Sequence, residues 1–149
     1  MQSVSFCDFN ASNAYPEMLL IAAAAAALTG VAICSSPDAL AQNLIVSVST
    51  DTPAKGENVT TVFDFDLAYP ITGGTANYDV TLNGFPYSAS ASLCEETQKS
   101  GDPCPLAAGH HHQVSTATDS VMGKLSTKIT WVDENLEEIL CVDITTKTA

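Results

Sequence analysis

The chain has 149 residues, of which 17 are acidic and 5 are basic, so its formal net charge is −12 at pH 7. The basic residues are all lysines, and the sequence contains no arginine. This charge argues against nucleic acid as a partner, because binding to phosphates depends on basic contacts. It argues equally against attraction to an anionic membrane surface. The length predicts one folded domain with, at most, a targeting segment before it.

The first feature along the chain is an apolar run, Met18–Cys34, that carries no charged residue. It is shorter than the roughly 20 residues that a comfortable membrane-spanning helix needs, and it suits the apolar region of a signal peptide. No lysine or arginine precedes it, so either Met18 is the true start or the run is an uncleaved anchor. We expect one apolar helix here, with residues 1–33 as a targeting or anchor segment and residues 34–149 as the folded domain.

A signal-peptide cleavage site is ambiguous. The small-residue pattern fits best at Ala39-Leu40-Ala41, but a cut there discards Cys34. A cut after Ala32 keeps Cys34, and retention of Cys34 is the interpretation that we favour.

Downstream of Cys34, short runs rich in Val, Thr, Phe and Tyr alternate with Gly, Pro, Asn and Asp. This alternation is typical of an antiparallel β-sandwich. About seven such strands predict an all-β, immunoglobulin-like fold. The predicted strands are Leu44–Ser49, Asn58–Ala68, Asn77–Leu82, Phe85–Leu93, Gln113–Thr118, Leu125–Val132 and Ile139–Thr146.

Several local signals refine these strands. In the second one, Phe63 and Phe65 share one face while Asp64 and Asp66 share the other, which predicts a half-buried strand. Asn83-Gly84 predicts a tight hairpin turn. Pro86 predicts an edge strand or a bulge, not a central strand. The region 94–104 is expected to be a loop, and the acidic stretch 133–138 a turn.

The five cysteines predict two disulfides and one additional thiol, because no pair has zinc-ligand spacing. Disulfides imply an oxidising compartment, and we expect a secreted protein or one in the lumen of the endomembrane system or lysosome, or alternatively one anchored in the membrane through Met18–Cys34. The sequons at Asn10 and Asn58 fit that compartment. Asn58 follows a Lys-Gly-Glu turn, so we expect it to be exposed and able to carry a glycan. The cysteines are Cys7, Cys34, Cys94, Cys104 and Cys141.

The run His110-His111-His112 opens a predicted strand. Adjacent strand residues point to opposite faces, so at most two of these histidines can share a metal. We expect an exposed polar edge and no metal site, and a pH-responsive patch is left open. No Gly-x-Ser-x-Gly motif is present, and the cysteines are better explained by pairing than by nucleophilic chemistry, so we do not expect an enzyme.

The carboxy-terminal half contains a set of spaced residues: Cys94-Glu95-Glu96, Cys104-Pro105-Leu106-Ala107-Ala108-Gly109, Trp131, Asn135 and Cys141. In these residues it resembles the ML lipid-recognition domain. Within the family, the two cysteine motifs look like those of the fungal phosphatidylglycerol/phosphatidylinositol transfer proteins. The ending, from Ile129 to Ile144, looks like that of the soluble Niemann–Pick type C sterol carrier. Cys34 also lies where the family has an equivalent cysteine.

The family pattern, together with placement at strand ends and turns, predicts the disulfides Cys34–Cys141 and Cys94–Cys104. The resemblance also implies two sheets that splay apart and hold a sterol or an acyl chain. The mouth of such a cavity is expected near Phe85-Pro86-Tyr87 and Val121-Met122-Gly123. The predicted ligand-binding residues are Phe63, Phe65, Tyr78, Val80, Leu82, Phe85, Tyr87, Met122, Leu125, Ile129, Trp131, Leu140, Val142 and Ile144.

The resemblance therefore implies a non-enzymatic lipid-binding or lipid-transfer protein, with a bound lipid and no other cofactor. The absence of arginine weakens an anionic phospholipid as the ligand, because no guanidinium can grip its phosphate. Without the resemblance, the same apolar faces predict a closed core. An alternative function is an accessory subunit of a larger membrane assembly, anchored by the amino-terminal helix and using the sandwich to bind a membrane protein. The sequence leaves open whether the protein acts as a monomer.

Overall fold

The computed structural model describes residues 30–119 and 121–148. The predicted amino-terminal helix and Cys7 therefore lie outside the described residues, apart from the last few residues of the apolar run. The elements in chain order are β1 (Val31–Ile33), β2 (Ala41–Val48), β3 (Asn58–Leu67), β4 (Gly74–Leu82), β5 (Phe85–Ser92), α1 (Leu93–Lys99), β6 (Gly109–Thr118), β7 (Gly123–Asp133) and β8 (Glu138–Thr148).

The described strands form two antiparallel sheets, as an immunoglobulin-like sandwich requires. One sheet has five strands in the order β1-β8-β7-β4-β5, and the other has three in the order β2-β3-β6. The prediction of an all-β sandwich is confirmed, with eight strands in place of about seven. The two sheets come close along β2, which contacts both β1 and β8.

The additional strand is β1, which the sequence assigned to the apolar helical run. Val31 pairs with Ile144, and Ile33 pairs with Val142, so β1 forms an edge of the larger sheet. A short, uniformly apolar run has no periodicity that would distinguish a helix from a strand. The sandwich therefore begins before Cys34.

The region 94–104 is not simply a loop, because it begins inside the helix α1. Leu93 and Thr97 lie one helical turn apart and are both fully buried. Glu95 and Glu96 in the first turn and Lys99 in the last complement the helix dipole. The sequence prediction missed this element because it spans less than two full turns. Within the described residues, no helix is long and apolar enough to cross a membrane.

Two disulfides join the cysteines in the predicted pairs. Cys34–Cys141 links the residue after β1 to β8 across 107 positions of sequence. Cys94–Cys104 closes a loop of 10 positions that contains most of α1. The first disulfide therefore fastens the short strand β1 to β8, and the second fastens α1 to the segment before β6.

The β4–β5 hairpin turns at Asn83 and Gly84, which both have positive φ, 49° and 88°. This is the conformation that makes Asn-Gly the preferred hairpin turn. The Asn83 side chain donates a hydrogen bond to the carbonyl of Met122 (3.0 Å) and accepts one from the backbone N–H of Lys124 (2.9 Å). The hairpin tip is thereby fixed to the segment between β6 and β7. As Pro86 indicated, β5 is an edge strand.

The packed core lies toward one end of the sandwich, against α1. Its largest members are Trp131, Phe63 and Phe65. The buried hydrophobic cluster consists of Ala41, Val46, Phe63, Phe65, Leu67, Ile71, Ala76, Leu93, Leu106, Trp131, Ile139, Leu140 and Val142.

Candidate functional site

The inner face of the five-stranded sheet is built from rows of side chains that lie side by side across its strands. One row joins Tyr78, Ile129 and Val142. On the same face, two rows closer to the β4–β5 hairpin, Leu82 pairs with Leu125. Side chains of neighbouring strands in register share one face, so these rows form one wall of the space between the sheets.

The opposite wall, formed by β3 and β6, is buried at one end and only partly buried at the other. Phe63 and Phe65, with Gln113 and His111 paired to them, are all buried. Two residues before Phe63, Thr61 is only half-buried. We call the end of the sandwich at Phe63, Phe65, Trp131 and α1 the closed end, and the end at Val59, Ala117 and Leu125 the open end.

A first cavity of about 250 Å³ lies between the sheets at the open end. Ala117 and Val121 in its wall are exposed, so it is reached from solvent on that side. Four of its lining residues are threonines, and most of the others are aliphatic. The lining residues are Val59, Thr61, Ala117, Thr118, Asp119, Val121, Leu125, Thr127, Ile129, Ile144 and Thr146.

A second cavity of about 220 Å³ lies between the first cavity and the closed end. The two cavities share Thr61 and Ile129 as wall residues, so they are adjacent. The residues that line the second cavity are Thr61, Phe63, Tyr78, Glu96, Ser100, Ser115, Ile129 and Trp131.

An aromatic cluster forms the wall at the closed end. Phe63 stacks on Trp131 with ring centroids 5.6 Å apart, and Phe65 meets Trp131 edge-on at 6.2 Å. Phe65 also stacks on His111 at 5.2 Å. Such aromatic pairs stabilise beyond the area that they bury. Among the described residues, Nε1 of Trp131 is buried without a hydrogen-bond partner, so this wall carries one unsatisfied donor.

A polar group lies in the wall of the second cavity, where the Tyr78 hydroxyl donates to Glu96 Oε2 at 2.8 Å. Lys99 Nζ lies 2.8 Å from Glu96 Oε1. This hydrogen bond from Lys99 lowers the pKa of Glu96 below its ordinary value, so the carboxyl is ionised at neutral pH. Burial, with a further contribution from Glu96, raises the pKa of Tyr78. Tyr78 therefore keeps its proton and acts as a donor.

A second carboxylate lies at the mouth of the first cavity. Asp119 accepts hydrogen bonds from the Thr148 hydroxyl (2.7 Å) and from the backbone N–H of Val121 (3.1 Å). Its backbone also pairs with residues 56 and 57 before β3. These bonds connect Asp119 to both sheets, through Thr148 on β8 and through the residues before β3.

The fourteen predicted ligand-binding residues divide into three groups. Those that line one or both cavities are Phe63, Tyr78, Leu125, Ile129, Trp131 and Ile144. Those that are buried or half-buried on inner faces without lining either cavity are Phe65, Val80, Leu82, Leu140 and Val142. Those that are exposed are Phe85, Tyr87 and Met122.

The sequence prediction missed the polar members of the walls, above all Thr61 and Thr127. Both follow the strand alternation that identified their neighbours Phe63 and Ile129, so their position was predictable. They were left out because the predicted set was chosen for apolar character. Glu96 and Ser100 had no such signal, because the helix that positions them was not predicted.

The volumes compare closely with the requirement for one lipid chain. A ligand site for a small molecule has at least about 300 Å³. Each cavity alone is smaller, at about 250 and 220 Å³, and the two together exceed that value. Movement of the shared wall residues Thr61 and Ile129 would join them.

The three histidines of β6 alternate as expected, but the prediction of an exposed polar edge is wrong for His111, which is buried. His111 points inward, is 7% exposed, and bonds Asp102 through Nδ1 (2.6 Å). His110 and His112 point outward, toward Asp66 and Asp64, which lie opposite them on β3. The Asp66 hydrogen bond raises the pKa of His110. Within the part of the chain that the structure describes, no group of three His, Cys, Asp or Glu is arranged to hold a metal ion.

Asn58 is exposed and is the first residue of β3. Its Oδ1 accepts a hydrogen bond from the Thr118 hydroxyl at 2.8 Å. A glycan on Asn58 stays a prediction.

Comparisons with known proteins agree on the fold. The family model described as ML domain matches residues 30–148. A Niemann-Pick type C2 protein from Japanese carpenter ant is 18% identical, with 79% of this chain and 98% of that chain covered and a TM-score of 0.60. Chicken MD-1, solved in complex with lipid IVa, is 19% identical, with 78% and 86% covered and a TM-score of 0.56. A search of curated proteins finds no match.

The two similar structures establish the sandwich fold, and the family model covers nearly all of the described residues. The match begins at residue 30, at the start of β1, and ends with β8 at residue 148. This protein therefore belongs to the ML domain family.

Proposed function

We propose that the protein binds one lipid, with the apolar chain of the lipid held between the two sheets at the open end. The observation that carries this proposal is the pair of adjacent cavities that meet at Thr61 and Ile129. Membership of the ML family supports it. The complex of the similar chicken MD-1 with lipid IVa supports it as well.

The energetics of an apolar cavity favour an occupant. The first cavity is open to solvent, so its aliphatic walls are hydrated until a ligand covers them. Burial of a lipid chain returns about 0.8 kcal/mol for each CH₂ group. The exposed apolar residues Val121 and Met122 lie at the mouth, where a chain would enter.

Within this function, the ligand is a sterol or the acyl chain of a phospholipid, and the protein is a carrier without catalytic activity. The two disulfides favour a secreted or lumenal protein. The alternative, an accessory subunit anchored by its amino-terminal helix, stays a prediction. Amino-terminal sequencing of the mature protein separates the two. A cut after Ala32 would remove most of β1, which begins at Val31, so a carrier is expected to have lost the apolar run only up to the start of β1.

Titration with a fluorescent sterol and with a fluorescent phospholipid tests the proposal. Ile129→Asp places a carboxylate in the shared wall of both cavities, and the wild type and this variant are compared. An unpaired charge facing the lipid chain costs about 2 kcal/mol, so we expect binding at least about 30-fold weaker.

Val114→Asp is the matched control. Val114 is 42% exposed and lies on the outward face of β6. Replacing this aliphatic side chain with Asp therefore adds a carboxylate that does not line either cavity. Thermal melts of both variants separate unfolding from lost affinity. A wild-type protein that binds neither probe, or equal loss in both folded variants, would contradict the proposed function.

A further inference from the structure

The charges around the cavities bear on the head group of the lipid, and this inference rests on the proposed function. Among the described residues, Asp119 is the one charged residue that lines the first cavity. Glu96 is the one charged residue that lines the second. No lysine or histidine of the described chain lines either cavity.

Asp119 has only uncharged partners. Its two carboxylate oxygens accept from the Thr148 hydroxyl and the Val121 backbone N–H. Within residues 30–119 and 121–148, no ion pair involves Asp119. The mouth of the first cavity therefore carries an uncompensated negative charge.

Glu96 is partly compensated by Lys99. The Lys99 side chain is 71% exposed and already bonds Glu96 Oε1, so solvent screens its charge and it does not line the cavity. The residues with hydroxyl groups that line this cavity are Thr61, Tyr78, Ser100 and Ser115. The indole N–H of Trp131 can donate to an alcohol or to a carboxylate, but it carries no positive charge. No cation in this wall therefore offsets the charge of an anionic head group beside Glu96.

We propose that the cavities select a lipid whose head group is uncharged and carries a hydroxyl, and that they discriminate against carboxylate and phosphate head groups. Whichever cavity receives the head group, it meets a carboxylate and no free cation. A hydroxyl has a proton to donate to such a carboxylate, whereas an ionised carboxylate or phosphodiester has none. The net charge of −12 acts in the same direction.

The test compares two ligands that have the same chain and differ in head-group charge. Oleyl alcohol and oleate, at pH 8 and below their aggregation concentrations, displace a bound fluorescent sterol from the wild-type protein. We expect oleyl alcohol to bind at least about tenfold more tightly, and we expect the ratio to fall as salt is added, because salt screens exposed charges.

The double variant Glu96→Gln with Asp119→Asn removes both carboxylates. We expect it to bring the affinity for oleate to within about threefold of that for oleyl alcohol. The matched control is Asp38→Asn with Glu137→Gln, which changes the net charge equally at two exposed positions away from the cavities. We expect the control to keep the wild-type ratio.

Equal affinities of the wild type for the two ligands would overturn the inference and leave the proposed function standing. A control that narrows the ratio as much as the cavity variant would also overturn it, because the effect would then come from net charge alone. If neither the sterol nor either oleyl ligand binds, the proposed function fails and the inference falls with it.

Discussion

The open and closed ends of the sandwich are built by the same strands, yet they pack differently. On β8, Leu140 and Val142 are fully buried, whereas Ile144 is half-buried and lines the first cavity. On β7, Trp131 is 5% exposed, whereas Leu125 is half-buried. Apolar character is similar at both ends, so it does not decide which end closes.

The difference comes from the size of the side chains on the opposing wall. At the closed end, the paired residues of β3 and β6 are Phe63 with Gln113 and Phe65 with His111. At the open end, the pairs are smaller: Thr61 with Ser115, and Val59 with Ala117. Smaller side chains on this wall fill less of the space between the sheets, and the first cavity lies there.

The largest expected difference between the ends is in the cost of truncating a side chain. Leu140→Ala removes a fully buried side chain and is expected to lower the free energy of unfolding by about 4 kcal/mol. Ile144→Ala, four residues along the same strand, removes contacts to a wall that is already open and is expected to cost about 1 kcal/mol. Urea unfolding measures both. Equal costs would mean that the open end packs as tightly as the closed end.

Removing the Cys94–Cys104 disulfide sharpens the comparison, because this disulfide lies at the closed end. The double change Cys94→Ser with Cys104→Ser is expected to cost roughly 3 kcal/mol through the entropy of the unfolded chain. Hydrogen exchange should quicken in α1 and the segment after it while the bonds between β7 and β8 near residue 125 stay protected. Uniform loss of protection would show that the two ends do not behave separately.

The smallest effect concerns the outer face of β3 and β6. The hydrogen bond from His110 to Asp66 raises the pKa of His110 in the folded protein. The contribution of His110 to stability is therefore complete below pH about 6.5, and it is lost as the pH rises through the pKa of His110 in the folded protein. Hydrogen bonds from Asn43 and then His110 lower the pKa of Asp66, so its contribution is lost as pH falls below about 3.9. Asp66→Asn is expected to lower the pKa of His110, as NMR titration would show. An unchanged pKa of His110 would contradict the assignment of its raised pKa to the hydrogen bond with Asp66.

The fold could be predicted from the sequence where side-chain alternation was strong. The alternation of Phe63 and Phe65 with Asp64 and Asp66 matches the observed faces of β3, because one face is buried and the other is hydrated. The Asn83-Gly84 turn also carried its own local signal. The sequence does not predict β1 as a strand, since it lies in a uniformly apolar run. The strand β4 begins before its predicted start at Asn77, since Gly74 has no side chain to show a pattern.

The site was less predictable than the fold. Alternation identified the inner faces, but it does not tell a packed residue such as Phe65 from a cavity residue such as Ile129. That distinction depends on the residue across the gap, and the register between β3 and β6 is needed to find it. The exposed Phe85 and Tyr87 show the same limit, because β5 lies at the edge of its sheet.

The central claim, that small side chains at the open end leave room for a lipid, is tested most directly by filling that room. Thr61→Phe adds a ring where the two cavities meet, and Val62→Phe adds the same ring on the outward face of β3 as a control. Native mass spectrometry after incubation with neutral lipid vesicles is the measurement. The account predicts a one-to-one lipid adduct for the wild type and for Val62→Phe, and none for Thr61→Phe. A Thr61→Phe protein that keeps the adduct, or a wild type that never forms one, would contradict it.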